Sequence, residues 1–295
     1  MQIEGRTVII TGASSGIGQE TAREFARRRA HVVLASRNRE ALDRLAAELA
    51  DFPGRRLVVP TDVTDRYAVE ALVRRTVEEF DGVDVLVNNA GLGLFAPIVG
   101  GSLDNMHHLF AVNFWGSVHC IQATVPYMRR QGRGHVVNVS SLAGKMAVPY
   151  LGIYSATKHA LAAVSSALRS ELAGTGIGVS AVYPGITDTG FQENMLREVE
   201  MPQPPSYVPT VQGAAVARRI AQAVRWNLRD VYVTLADLAA VSAYPLAPGL
   251  ADWAVRRLWL SSTPTAEVEG APPLPAEESG EPSAADTAEP PLEPQ

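Results

Sequence analysis

The sequence predicts one α/β domain, a doubly wound parallel sheet covered by helices on both faces. Two observations predict it. Short, continuously apolar runs alternate with longer stretches of mixed polarity, and a glycine-rich turn joins the first run to the first stretch. The runs are Arg6–Ile10, His31–Ala35, Arg56–Pro60, Val83–Val87, His135–Val139 and Gly178–Val182. Unbroken apolarity in a short β-branched run fits a strand buried on both faces, not one with a wet face. Between the runs lie Gln19–Arg29, Arg39–Ala50, Ala68–Phe80, Leu103–Arg130 and Ser155–Ala173, all of helical length. This alternation sets the strands parallel, with the helices as crossovers. Gln212–Leu228 reads as a further helix and Asp230–Thr234 as one more strand.

The composition agrees. With 46% hydrophobic and 19% charged residues, the chain is globular and has a substantial core, which excludes a wholly disordered protein. The single Cys120 excludes an intramolecular disulfide, and no Cys-x-x-Cys pair offers thiolates to zinc. His107 and His108 are adjacent, so on a helix they diverge by about 100° and make a poor metal pair. No metal is expected. The start Met1–Arg6 lacks the features of a secretory signal, so a reducing cytosol is the expected compartment. Residues 264–295 carry eight acidic residues and no Lys or Arg, so the chain's net −5 leaves +3 for residues 1–263. A nearly neutral body without a basic stripe argues against a nucleic-acid partner.

The first strand runs into Thr11-Gly12-Ala13-Ser14-Ser15-Gly16-Ile17-Gly18. A sharp strand-to-helix turn that lets a pyrophosphate approach the backbone needs positions without Cβ. Gly12, Gly16 and Gly18 meet that need, with Ser14, Ser15 and Ile17 in the same turn, as in a Rossmann-like dinucleotide site. The second strand ends in Leu34-Ala35-Ser36-Arg37. An NAD site usually has a carboxylate there for the ribose 2′-hydroxyl. Here Ser36 and the planar guanidinium of Arg37 suit a 2′-phosphate, so NADP(H) is favoured over NAD(H). Asp62 and Val63 are expected at the adenine. Asn89, Ala90 and Gly91 count among the cofactor contacts, and Asn88 reads as architectural support that bridges neighbouring strands.

Tyr154-Ser-Ala-Thr-Lys158 sets a phenol and an ammonium on one helical face. A phenol near pKa 10 is a poor acid or base at neutral pH. An adjacent ammonium, with a positive nicotinamide ring, is expected to bring it toward the working range. The pair follows the fifth strand, near the carboxyl ends where open α/β sheets bind ligands. Val139-Ser140-Ser141 closes that strand, and Ser141 is the preferred hydroxyl for a substrate carbonyl. Asn113 lies inside a helical stretch, and a local distortion presenting its carbonyl to water near Lys158 would give a proton route.

Residues 1–235 are thus expected to form a dinucleotide-binding catalytic domain, with Gly190–Thr210 as a Pro-rich substrate lid. Residues 236–262 read as an apolar helical extension, interrupted by Pro245, Pro248, Asp252, Arg256 and Arg257. A spanning helix needs roughly 20 uninterrupted apolar residues. Docking onto the body or a subunit neighbour is therefore preferred over peripheral membrane contact through 236–260. The acidic, Pro-rich 263–295 is expected to be disordered.

These motifs, with Pro184-Gly185-Ile186-Thr187-Asp188-Thr189, run in an order and at spacings that closely resemble the classical short-chain dehydrogenase/reductase family over roughly residues 5–235. The resemblance implies a catalytic tetrad of Asn113, Ser141, Tyr154 and Lys158, supports Ser141 over Ser140, and brings Pro184, Gly185, Thr187 and Thr189 to the cofactor. It implies a homodimer or homotetramer through the helices beginning near Leu103 and Tyr154. The expected activity is NADP(H)-dependent interconversion of a carbonyl and an alcohol. An apolar pocket from Leu92–Pro97, Ala143–Tyr150 and Gly190–Tyr207 favours a lipophilic ketone, aldehyde or secondary alcohol. One rival is a catalytically silent NADP(H)-binding sensor or scaffold, which would not require Tyr154 and Lys158 together. Another is a sugar-nucleotide epimerase or dehydratase, whose glycine turn is spaced differently and whose substrate domain is larger.

Overall fold

The computed structural model describes residues 1–201 and 210–247, together with Gly249, Trp253 and Arg257. The lid's Pro-rich 202–209 and the acidic tail lie outside the described residues. In chain order the first elements are β1 (Thr7–Thr11), α1 (Gly16–Arg27), β2 (His31–Ser36), α2 (Arg39–Glu48), β3 (Arg56–Pro60), α3 (Arg66–Phe80), β4 (Val85–Asn88) and β5 (Leu94–Phe95). The stretch expected as one helix is instead α4 (Leu103–Phe110), a π-helical turn (Ala111–Trp115) and α5 (Gly116–Gln131). There follow β6 (Gly134–Val139), α6 (Gly152–Glu171), β7 (Ile177–Tyr183), β8 (Thr187–Asp188), β9 (Leu196–Arg197), β10 (Val211–Gln212), α7 (Gly213–Trp226), β11 (Asp230–Tyr232) and α8 (Leu235–Ala243).

Seven strands make one sheet in the order β3-β2-β1-β4-β6-β7-β11, every pair parallel. Strand alternation divides the core. Val8, Ile10, Val32 and Leu34 enter one apolar cluster with Phe25 and Leu42 of α1 and α2 and Val216 and Ile220 of α7. Ile9, Val33 and Ala35 enter the other, with Leu72 of α3, Ile121 of α5 and Leu168 of α6. Apolar side chains on both faces explain the unbroken runs, and each fully buried Val, Leu or Ile contributes about 1.5–3 kcal/mol. Short polar side chains start several helices: Asn38 Oδ1 accepts from Ala41 N at 3.0 Å, and Asp65 Oδ1 from Tyr67 N at 2.8 Å.

The chain leaves β1 toward β2 and β3, then returns to β4 on the opposite side. A crevice opens at that reversal, beyond the carboxyl ends of β1 and β4. Two boundaries near it differ from the sequence reading. α1 begins at Gly16, not Gln19, because the second and third glycines already belong to its first turn. α6 begins at Gly152, so Tyr154 is its third residue instead of its opening one. Past β11, Thr234 starts α8 through a capping box with Asp237, and α8 buries none of its residues. Leu235, Leu238, Leu246 and Trp253 are exposed, so the described part of the extension is not docked into the core. Among the described residues no helix is long and apolar enough to cross a membrane.

Candidate active site

Gly12 (φ +66°) and Gly16 (φ +53°) carry the left-handed backbone that turns β1 into α1. The segment after β4 is bolted beneath them. Thr11 Oγ1 accepts from Asn89 N at 3.0 Å and Ala90 N at 3.1 Å, and Asn89 Nδ2 donates to Thr11 O at 3.0 Å and Gly12 O at 3.2 Å. The Asn89 amide thus holds the turn. Ser15 sits at the start of α1 without a side-chain cap bond, which leaves the first helical amides to a phosphate. Ser14 and Ile17 are half-buried in the same turn. A Cβ at Gly16 would lie 3.1 Å from Thr189 Cβ, so the loop after β7 closes this end. A Cβ at Gly18 would run into Gly12 O and come within 2.5 Å of Asn89 Nδ2. Gly18→Ala is therefore expected to cost about 1–3 kcal/mol in stability. It should also weaken dinucleotide binding about tenfold, since the turn must move; denaturant melts and fluorescence titration read both effects.

Ser36 ends β2 half-buried, and its hydroxyl is buried without a partner among the described residues. Arg37 stands exposed beside it. Asp62 Oδ1 accepts from Thr64 N at 2.9 Å and Thr64 Oγ1 at 2.8 Å. Partial burial opposes its ionisation, yet the Thr64 bonds and the charges of Arg37 and His108 hold its carboxyl below the ordinary value. Val63 is buried against α5, where a Cβ at Gly116 would meet it. An orphaned hydroxyl, a guanidinium on the rim and a cradle that a Cβ would fill all fit a dinucleotide.

At the chemistry end, Tyr154 and Lys158 are both buried. Lys158 Nζ donates to Val139 O at 3.1 Å, at the carboxyl end of β6. A Cβ at Gly91 would lie 3.5 Å from that nitrogen, which puts the ammonium over the crevice. The two serines divide their work. Ser140 Oγ donates to Lys158 O at 3.0 Å, whereas Ser141 Oγ accepts from Ala143 N at 3.1 Å and lies near enough to the Tyr154 phenol for its hydroxyl to favour the phenolate.

The Lys158 ammonium by itself does not bring the Tyr154 phenol toward the neutral range. Burial pushes Tyr154 up to about 12, opposed only in part by Ser141, and burial brings Lys158 down to about 8. The Lys158 nitrogen lies 5.8 Å from the Tyr154 ring centre and is bonded to Val139 O, so desolvation outweighs its field.

Asn113 occupies the π-helical turn and is fully buried. Its Oδ1 accepts from Leu92 N at 2.7 Å, and its Nδ2 donates to Leu92 O at 2.9 Å. The helix distortion is present, but the Asn113 carbonyl accepts from Ser117 Oγ at 3.2 Å. Asn88 Nδ2 donates to Asn138 Oδ1 at 2.9 Å, joining β4 to β6 behind the site. Thr187 Oγ1 donates to Gly185 O at 3.0 Å, and Pro184 O accepts from Leu142 N at 2.9 Å. The loop carrying Pro184, Gly185, Thr187 and Thr189 is thereby tied to the Ser141 turn.

Phe191, within the Gly190–Tyr207 stretch expected at the pocket but not singled out there, has its ring centre 6.0 Å from that of Tyr154. The ladder that seats it was not expected from the sequence. Leu196 N donates to Gly93 O and Glu198 N to Phe95 O, both at 3.0 Å, pairing β9 with β5. A two-residue ladder has no periodicity to read. The available signal was an isolated aromatic within Gly190–Asn194.

A family model described as short chain dehydrogenase matches residues 6–200. Dehydrogenase/reductase SDR family protein 7-like of Drosophila melanogaster is 34% identical over 262 residues, 85% of this chain and 80% of that protein. Glycine betaine reductase ATRR of Emericella nidulans is 42% identical over 187 residues, 63% of this chain. This chain spans only 15% of that longer protein. Among solved structures, a short chain dehydrogenase/reductase from Burkholderia phymatum in complex with NAD superposes with a TM-score of 0.77 at 28% identity, covering 85% of this chain and 96% of that one. An alcohol dehydrogenase from the archaeon Thermococcus sibiricus, complexed with 5-hydroxy-NADP, gives 0.69 at 27% identity, covering 78% and 95%. With more than half of its length matched by the family model and its sheet shared with such structures, this chain belongs to the short-chain dehydrogenase family of oxidoreductases.

Proposed function

We propose that this chain is an NADP(H)-dependent reductase of lipophilic ketones or aldehydes, also able to oxidise the corresponding secondary alcohols. The observation that carries the reading is the cluster of Ser141, Tyr154 and Lys158 at the carboxyl ends of β4 and β6, roofed by apolar side chains. Tyr154 packs with Leu94, Ala143, Leu151 and Phe191, a wall that suits an apolar substrate over a sugar. The nicotinamide, when bound, supplies or accepts the hydride. Gly12, Gly16, Gly18 and Thr189 would hold the diphosphate; Ser36 and Arg37 the adenosine phosphate; Asp62 and Val63 the adenine; Lys158 the ribose; Pro184, Gly185 and Thr187 the carboxamide. Ser141 polarises the substrate oxygen, and Tyr154 delivers a proton to it or removes one. The burial that keeps Tyr154 protonated at neutral pH loads it as the acid of carbonyl reduction. A reducing cytosol remains the proposed setting, and a homo-oligomer through α4, α5 and α6 the proposed assembly; Leu103 of α4 and Trp115 of the π-helical turn are exposed.

The test is oxidation of NADPH and NADH with a panel of carbonyls. NADPH is expected to be preferred, and Arg37→Asp to lower its kcat/KM about a hundredfold while NADH holds or gains. That figure corresponds to losing one charge-assisted phosphate contact of about 1.5–3 kcal/mol and adding a repulsive carboxylate. Equal use of both cofactors by the parent and the variant removes Arg37 from the reading. If no carbonyl is turned over, the whole proposal goes.

A further inference from the structure

Thr157 lies between the two reacting side chains of α6 and is fully buried. A threonine in a helix commonly turns its hydroxyl back to a carbonyl of the preceding turn, which bends the helix slightly. Thr157 does this: its Oγ1 donates to Tyr154 O at 2.7 Å. The same oxygen also accepts from Asn113 Nδ2 at 3.2 Å, and Asn113 belongs to a different helix. A hydroxyl engaged only for its own satisfaction would need no such second partner.

The Asn113 amide is spoken for on both sides. It clamps Leu92 N and Leu92 O, in the loop that carries Gly91 past the Lys158 ammonium, and it reaches Thr157 with its remaining hydrogen. The π-helical turn is what brings Asn113 there, because its wider winding shifts side-chain register against the flanking helix. A continuous hydrogen-bonded path therefore runs from Leu92, through Asn113 and the Thr157 hydroxyl, to the backbone of Tyr154. Lys158 follows Thr157 in the chain, and its Nζ is anchored separately on β6 at Val139 O.

We propose that Thr157 is a positioning residue for proton transfer: its hydroxyl couples Asn113 to the Tyr154 main chain and so fixes the phenol relative to the Lys158 ammonium. This rests on the reading of Tyr154 as the acid/base. The hydroxyl touches neither substrate nor cofactor. It acts by fixing the bend of α6 between positions 154 and 158, where displacement of the phenol by a fraction of an ångström misaligns the proton.

The test compares Thr157→Val, nearly isosteric but without the hydroxyl, with Thr157→Ser, which keeps it. Thr157→Val is expected to lower kcat about thirtyfold, with KM for carbonyl and cofactor within about twofold, as befits a contact that matters in the transition state. The alkaline limb of its pH–kcat profile should shift, because the phenol no longer sits in the same field. Thr157→Ser should recover kcat to within about threefold of the parent. Circular dichroism and cofactor titration check that each variant is folded; if Val is not accepted, Thr157→Ala carries the same readouts. A Val or Ala variant with parental kcat and pH profile overturns the inference, as does a Ser variant no better than Val. Tyr154→Phe is run in parallel. If it is inactive while Thr157→Val is normal, only the role of Thr157 is lost; if it is active, the reading of the site fails and this inference with it.

Discussion

Replacing Tyr154 by Phe lowers carbonyl reduction by about a thousandfold while dinucleotide affinity stays within about threefold, the range expected when a general acid alone is removed. The separation follows from geometry. The ring keeps its packing against Phe191 and the surrounding apolar cluster, so the substitution leaves the roof intact. The glycine cradle lies in the β1–α1 turn and the start of α1, and Ser36 and Arg37 lie at and just past the end of β2, away from the phenol's helix. What is lost is one O–H, together with the partner of the Ser141 hydroxyl. Dinucleotide titration by fluorescence and single-turnover rates measure the two halves separately. Substantial turnover in the variant would show that the proton comes from elsewhere. The pH dependence has a definite sign as well. Tyr154 is pushed up to about 12 in the free chain, so the protonated form dominates across the neutral range. Reduction, which consumes that proton, should be nearly flat below about pH 7 and fall above pH 8 as the Lys158 ammonium, brought down to about 8, is lost, whereas alcohol oxidation, which needs the phenolate, should gain relative to reduction as the pH rises. A ratio of oxidation to reduction that is flat or falls with pH contradicts this.

The frame of the molecule was legible because it repeats. Each strand, buried on both faces, leaves an unbroken apolar run such as Val32–Ala35, and each helix a mixed stretch of fixed length, so errors stayed at the ends. The turn at Gly12–Gly18 and the dyad at Tyr154 and Lys158 were legible for another reason: their chemistry demands particular residue types at fixed spacing. Three features were not. A distortion at Asn113 was expected from the chemistry, but its extent and π-helical form at Ala111–Trp115 were not, because one added residue is averaged over by sequence periodicity. The β5–β9 ladder that lowers Phe191 onto Tyr154 joins Leu94 to Leu196, a contact without any local trace. The charge state that packing alone gives Tyr154 was the least legible. Spacing gives the proximity of an ammonium, but the desolvation that opposes it depends on how tightly the roof closes, which only packing reveals.

Lys158→Met should move activity and stability in opposite directions. Activity is expected to fall about a hundredfold or more, since the ammonium beside the crevice, its hold on the ribose and its field at the phenol all vanish. The free protein should nevertheless become more stable at pH 7. Lys158 is buried, and its folded-state value of about 8 lies below the ordinary 10.5. The folded chain therefore binds fewer protons than the unfolded chain between pH 8 and 10.5, and stability rises with pH across that window. Below pH 8 the full cost of burying the charge is present, on the order of 3 kcal/mol from the size of the shift. Methionine fills nearly the same volume without charge, but it leaves Val139 O without its donor, a loss of about 1–2 kcal/mol. The net gain is about 1–2 kcal/mol at pH 7, shrinking as the pH approaches 10.5 and the parent lysine becomes neutral in both states. Urea denaturation of parent and variant at pH 7 and pH 10 measures it. A variant less stable than the parent at pH 7, or a difference that does not narrow with pH, would mean that the ammonium is solvated or paired in the free protein; the crevice would then not be the dry, preorganised site that proton transfer from Tyr154 requires.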